Sequence, residues 1–408
     1  MTILILNRGP LATHPYRTWL DGYDGDLVLL ASAEKLQFYR ERLPENYRYA
    51  EAVTGYDADG RLERRVLELA RTHAFSHVIA CNELDLERAG TIREVLGLDG
   101  QSAASASAFR DKVLMKQLVQ AAGVDVAPWA EVRTASDVTT YWQRHGGPVV
   151  VKPRNGAGAV DVTVLRTAAE VDAYVARVGG RGAEFVAGLM VESFVKGTTY
   201  HVDGLVLNGT MVMCWPTRYL DALSTFAEVP SLAAVMLDPD HEVVGRMQDL
   251  CRSIVAALPS PQNFSFHAEV FHTPDDRLVM CEIACRTGGA VIKEMVATAF
   301  GFDLSEQWVR AQVGLSTITG IFTAPGRIAG SLLVMKRKGR LVKAPAPGFG
   351  WITRYEQTVP IGEVLPGPTF ASDVMATAIV AGDSSAECES YLAQLRRWSL
   401  EEIEFERV

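Results

Sequence analysis

The sequence predicts an α/β protein of several lobes: an open α/β lobe at the N-terminus, a small central lobe and an α+β lobe at the C-terminus. Three observations predict it. Short apolar runs alternate with amphipathic stretches over the first hundred residues, the pattern of a parallel sheet wrapped by crossover helices. A second α/β unit begins after the Gly- and Ser-containing stretch 96–107. Finally, 408 residues exceed the roughly 250–300 that one hydrophobic core serves, so two or three domains are expected.

In chain order, 3–6, 26–31, 47–53 and 77–81 read as strands, and 32–42, 61–72 and 85–96 as helices by their 3.6-residue spacing, the first opened by Ser32 as N-cap. No GxGxxG follows the first strand, so a Rossmann cofactor site is not supported. A helix over 107–122, stopped by Gly123, leads to an edge-like strand containing Pro128. Residues 148–165 read as two β segments joined by a Gly-containing loop, 168–178 as a helix, and 189–209 as strand with turns at Gly197 and Asn208-Gly209. A helix at 242–258, a hairpin at 264–284 and a β-rich segment from about 320 with a closing helix near 386–397 complete the chain. The expected divisions are 1–103, 104–205, 206–320 and 321–408.

Composition narrows the function. With 40 Lys plus Arg against 49 Asp plus Glu the net charge is −9, which argues against a nucleic-acid groove binder. Hydrophobic residues make up 48%, enough for large cores, yet no uncharged apolar run approaches the roughly 18 residues of a membrane helix. Six cysteines without a CxxC pair are too sparse for a disulfide framework or a structural zinc site. Reduced thiols and a cytoplasmic location are therefore expected.

The strongest chemistry lies in the hairpin 264–284. A turn centred between Asp275 and Asp276 places Glu269 opposite Glu282, Val270 opposite Cys281 and Ala268 opposite Ile283, with His267, Glu269, Met280 and Glu282 on one face. Directly opposed like charges destabilise a sheet unless something sits between them. A hard cation with oxygen ligands, Mg²⁺ carrying substrate phosphates, resolves the conflict; two solvated glutamates on an open sheet face are the alternative. Arg286, just before Gly288 and Gly289, suits an anionic phosphoryl group at the mouth of such a pair, or else a nearby carboxylate.

Two lysines point the same way. Lys152 ends an apolar run, so its ammonium emerges at the edge of a buried strand, ahead of a loop whose Gly156 and Gly158 let backbone amides approach phosphate oxygens. Lys112 lies near a helix start, where the macrodipole disfavours a cation; a bound phosphate offsets that, and a solvated lysine is the other reading. Glu192 sits between apolar residues with Phe194 and Val195 close after it, either strand core or the wall of a base pocket. His201 reads as a polar strand residue or a base. Within 214–235, taken as a substrate loop, Arg218 and Tyr219 offer polar contacts.

Taken together and in this order, the segments 109–132, 149–162, 190–197, 267–270 and 281–289 resemble the ATP-grasp superfamily, in particular carboxylate–amine ligases such as the bacterial L-amino acid ligases. Lys112, Lys152 and Glu192 are spaced 40 residues apart, as in that family. The resemblance implies an ATP-grasp fold, ATP and Mg²⁺ as cofactors, and activation of a carboxylate as an acyl phosphate that an amine displaces. It implies that Lys112 and Lys152 hold the ATP phosphates under a mobile loop containing Gly156, Ala157 and Gly158. Glu192, Ser193, Phe194 and Val195 would form the adenine linker, Glu269 and Glu282 would ligate Mg²⁺, and Arg286 would stabilise the transferring phosphate. His267, Gly288, Gly289 and Arg218 would meet the substrate. The implied partners are small-molecule carboxylates and amines, amino acids among them, with no nucleic acid and no membrane, and a homodimer as the assembly. Transfer to a carrier thiol, or a nucleotide-binding regulator without the chemistry, stay open. Two departures from the family pattern leave ribose recognition and metal count open: Thr198 and Thr199 follow Gly197 where an acid is common, and Ala284 stands where an asparagine often ligates a second metal.

Overall fold

The computed structural model describes residues 1–58, 60–222 and 225–407. Its N-terminal lobe is a parallel sheet of β1 (Thr2–Asn7), β2 (Asp26–Ser32), β3 (Tyr49–Val53) and β4 (Phe75–Ala80) in the order β3-β2-β1-β4. All six residues of β1 are buried, as a central parallel strand covered on both faces demands of its continuous apolar run. Ser32 ends β2 and caps the next helix, its hydroxyl accepting from the Lys35 N–H at 3.3 Å.

A small antiparallel sheet follows: β5 (Trp129–Glu131), β6 (Val149–Pro153), β7 (Thr163–Leu165) and β8 (Leu189–Ser193), ordered β5-β8-β6-β7. Val149, Val151, Leu165 and Val191 pack with Val171 and Tyr174 of a covering helix into a core separate from the main one.

The rest of the chain builds on one eight-stranded sheet. Its strands are β9 (Thr198–Leu207), β10 (Thr210–Tyr219), β11 (Ser231–Met236), β12 (Phe264–His272), β13 (Leu278–Ala284), β14 (Ile328–Met335), β16 (Ile352–Gln357) and β18 (Val374–Gly382), ordered β13-β12-β9-β10-β11-β14-β18-β16. Three short strands, β15 (Gly339–Lys343), β17 (Val364–Leu365) and β19 (Glu404–Glu406), form a flanking sheet. Among the described residues no helix is long and apolar enough to cross a membrane.

Four expectations need correction. The division at 320/321 separates β11 from β14, which pair antiparallel from Ser231↔Val334 to Val235↔Gly330, and the one at 205/206 falls inside β9. The helix expected over 107–122 is two helices, Ala103–Arg110 and Lys112–Ala121, because Asp111 leaves the helical region (φ −80°, ψ 104°) and its carboxylate accepts from the N–H groups of Val113 and Leu114. Half of the segment 214–235 is the end of β10 and the start of β11; its residues 223 and 224 lie outside the described residues. Helices Ile292–Phe300 and Leu304–Gln312 were not foreseen.

Gly204 in β9 faces the Phe266 ring of β12 so closely that a Cβ would lie 2.1 Å from it. Both residues sit in the sheet that carries the carboxylate pair, so Gly204→Ala should destabilise the protein by about 1–3 kcal/mol through overpacking, read as a lower urea midpoint at unchanged slope.

Candidate active site

Glu269 and Glu282 lie directly opposite each other across β12 and β13, flanked by Ala268↔Ile283 and His267↔Ala284. Beyond them a bulge shifts the register, so Val270 faces Met280 and not Cys281. The bulge corrects the expected face assignment: Met280 is fully buried, and Cys281 turns to the site, its sulfur 3.8 Å from Lys152 Nζ. Burial and the neighbouring Glu282 raise the pKa of Glu269. Burial also opposes ionisation of Glu282, but Lys112 and Lys152 outweigh it and lower its pKa, with Lys112 Nζ 3.0 Å from Glu282 Oε2. The two carboxyls are thus pushed in opposite directions, Glu282 toward its charged form and Glu269 toward its neutral one.

Both lysines reach this pair from different lobes. Lys112, the first residue of its helix and 6% exposed, donates to Gly156 O at 2.7 Å, so it touches the glycine loop and the carboxylates together. Lys152 is 5% exposed at the end of β6, 2.6 Å from Glu192 Oε1. Its charge is opposed by burial and sustained by Glu192 and Glu282, while the Cys281 thiol, pushed up to about 12, stays protonated. Glu192 has a bracing role besides: its buried carboxylate is taken up by Lys152 and by Lys116, 3.0 Å away and fully buried, while the residue lines the same cavity as Ser193 to Val195. The backbone N–H of Ser193 and Phe194 donate to Pro128 O and Pro148 O, and the Ser193 hydroxyl meets Tyr141 OH at 2.9 Å.

Two cavities meet at the carboxylates. One, of about 370 Å³, is lined by Lys112, Lys152, loop residues 156–160, the linker 193–197 and Cys281. The other, of about 330 Å³, is lined by His201, Tyr219, His267, Arg286 and Gly289 at its polar end and by Leu232, Leu333 and Phe370 at its apolar end. Glu269, Glu282, Ala157 and Gly158 line both.

Arg286 is held by Glu83 of the N-terminal lobe, Nε and Nη2 donating to Oε2 at 2.9 and 2.6 Å, while Nη1 donates to Thr287 O. Both readings of this arginine thus coincide: it is tied to a carboxylate, and it faces the second cavity. Glu83 also pairs with Arg110, and although burial would raise its pKa, Arg286 and Arg110 bring it down to about 2. Asp203 joins two histidines, its carboxylate 2.6 Å from His201 Nδ1 and 2.9 Å from His267 Nδ1. These three side chains are near enough together to be ligands of one metal ion, but each Asp203 oxygen is taken by an imidazole N–H. Gly288 abuts them, since a Cβ there would lie 2.9 Å from His267 Nδ1 and 2.5 Å from Ile292 Cδ1.

Arg218 does not join the others: it pairs with Glu389 of the C-terminal helix and lines neither cavity, which removes it as a substrate contact. Glu83, Asp203 and Lys116 were missed. Only Lys116 carried a signal, being four residues from Lys112 on one helix face.

Comparisons with known proteins place these residues in context. Residues 145–294 match the model of the ATP-grasp domain. The L-arginine-specific L-amino acid ligase of Bacillus subtilis is 23% identical over 251 residues, 61% of this chain and 60% of that protein. The alanine–anticapsin ligase of Bacillus subtilis is 23% identical over 266 residues, 59% of this chain and 54% of that one. The matched part thus spans no more than about six tenths of either relative. In three dimensions the L-amino acid ligase from Bacillus licheniformis superposes with a TM-score of 0.77 at 18% identity, covering 100% of this chain and 98% of that one.

The split between the two glutamates has a measurable consequence. In metal-free protein at neutral pH, Glu269→Gln removes the group whose ionisation burial and Glu282 oppose, so it should raise stability by up to about 1 kcal/mol. A raised folded pKa weakens the fold as pH climbs through it, so this gain should vanish near pH 4. Glu282→Gln strands Lys112 and should lower stability by about 1–3 kcal/mol at pH 7; thermal melts at both pH values check the pair. Glu83 works with the opposite sign. Its depressed pKa gives stability that is complete above the usual carboxylate range and is lost as pH falls toward 2, so Glu83→Gln should flatten the acid limb of the stability profile between about pH 4.5 and 2.

Proposed function

We propose that this ATP-grasp protein is an ATP-dependent ligase that activates a carboxylate as an acyl phosphate and joins it to an amine, forming a peptide-type bond between amino acids with release of ADP and phosphate. The observation that carries this reading is the shared wall: Glu269 and Glu282 belong to both cavities, so phosphates in one and a carboxylate in the other would meet at the same two side chains. We further propose that the protein works in the cytoplasm; its six cysteines are all free and five are buried.

The chain's own residues divide the work. Lys112 and Lys152 hold the phosphates against Glu282, the loop 154–159 covers them, and Ser193 to Val195, with the exposed Phe194 ring, face the base. Two opposed carboxylates in a site with two lysines fit a hard divalent cation, because the donors are oxygens and the opposed pair lacks one positive charge of its own. Mg²⁺ held there supplies Lewis-acid neutralisation of phosphate oxygens. Arg286 orients the substrate carboxylate with the N–H groups that Glu83 and Thr287 leave free. As that carboxylate attacks, an O–P bond forms and the P–O bond to ADP breaks, and Arg286 faces the charge spread over the transferring group. The amine then attacks the acyl carbon, loses a proton, and phosphate leaves with the C–O electron pair. The small lobe acts as the lid, and the His201, Asp203, His267 and Gly288 cluster shapes the polar end of the carboxylate cavity.

The test is a panel of amino acids offered singly and in pairs with ATP and Mg²⁺, scored for ADP and for product mass. Amino-acid-dependent ADP release with a dipeptide mass is expected; nucleotide binding without turnover on any pair would point to a regulator. Arg286→Ala should keep ATP affinity and lose about 10²–10³ in kcat, and Arg286→Lys should not restore it. Lys152→Ala should abolish ATP binding in calorimetry and also lower the melting temperature, because it leaves Glu192 buried with Lys116 alone.

A further inference from the structure

A third cavity, of about 440 Å³, lies behind the carboxylate hairpin and shares no lining residue with the two described above. Its walls come from the start of β4, the helix Leu86–Leu96, the loop 99–101, residues 261–264 leading into β12, and the helix Leu304–Gln312. Arg93 stands on this wall, 4% exposed. Its guanidinium donates to Gln101 O at 2.9 Å and to Val78 O at 2.5 Å, which uses two of its five N–H groups.

What sets Arg93 apart is the missing counter-charge. The comparably buried Arg8 pairs with Asp85 and Asp57, and Arg110 pairs with Glu83. No carboxylate among the described residues makes a salt bridge with Arg93. Burial brings its pKa down to about 10; the neighbours able to carry charge are the Cys285 thiol, which burial keeps protonated, and His77, whose pKa burial and the Arg93 charge lower, and neither supplies an anion. Asp99 sits on the rim of the cavity, where its charge bears on His77 and not on the guanidinium. A buried cation without an anion is costly, and an anion from outside would offset that cost. The remaining walls suit such a guest: the side-chain amides of Gln262 and Gln312 offer hydrogen bonds, that of Gln101 being engaged by Ser105 Oγ, and buried Trp308 supplies a flat apolar surface.

We infer that this cavity is a second binding site, for a small organic oxyanion, carboxylate or phosphate monoester, whose charged oxygens pair with Arg93. Its volume matches a guest of amino-acid to dipeptide size. Phe264 on its wall is the first residue of β12, and Gln101 meets Cys285, the residue before Arg286, so a guest would press on the hairpin from the face opposite the carboxylates.

The test uses Arg286→Ala protein, in which the described carboxylate site is impaired, titrated calorimetrically with inorganic phosphate and with N-acetylglycine. Saturable binding of one probe is expected, and which one binds tells phosphate from carboxylate. Adding Arg93→Met should weaken it by roughly tenfold or more. If Arg93→Met does not fold, Gln312→Glu, at a half-buried position whose amide bonds only Trp308 O, places a like charge on the same wall and should weaken it similarly. Absence of saturable binding of either probe to folded wild-type protein, binding abolished by Arg286→Ala, or binding unchanged in a folded Arg93→Met or Gln312→Glu protein overturns the inference.

Discussion

The architecture turns on one electrostatic conflict, two carboxylates facing each other across neighbouring strands in a site largely shielded from water. Cross-strand repulsion of this kind is tolerated only where surrounding charges absorb it. Here the neighbours are graded. Lys112 takes one glutamate directly, Lys152 lends its field, and Glu192 with Lys116 keeps Lys152 from collapsing onto the pair. The result is an array of two acids, two lysines and a second acid–lysine brace, in which each charge is placed by another. A phosphate-bearing ligand with its cation would complete this array.

Convergence of lobes follows from that array. Lys112 comes from a helix packed on the main core, Lys152 and Glu192 from the small sheet, the opposed acids from the large sheet, and Glu83 from the loop after β4. No single lobe holds a complete site. Glu83 matters most in this respect, since through Arg286 and Arg110 it ties the first lobe to both the hairpin and the helix ahead of Lys112.

Much of this was legible in the sequence where chemistry and periodicity agree locally. The turn residues at 273–276 set the Glu269–Glu282 register, and the even spacing of Lys112, Lys152 and Glu192 picked out three residues that line one cavity. The failures have physical causes. Apolar spacing runs on through Asp111, so periodicity cannot see that its side chain ends one helix and starts another. The bulge after Glu269 changes pairing without changing composition, so the fate of Cys281 was invisible. Residues 214–235 contain Asp221 and Pro230, which mask the strand that begins at Ser231. The Arg286–Glu83 contact spans 203 residues, and Arg218 finds Glu389 across 171, distances at which no local pattern speaks.

The small lobe's separate core has a thermal consequence. With its apolar residues packed among themselves and only two short connections, 122–128 into β5 and 194–197 into β9, the lobe forms its own cooperative unit, free to loosen while the eight-stranded sheet stays intact. Lys152 and the linker leave with it. Heat inactivation would then set in below the temperature at which the bulk of the secondary structure melts, and a ligand resting against the small lobe would raise the first temperature more than the second.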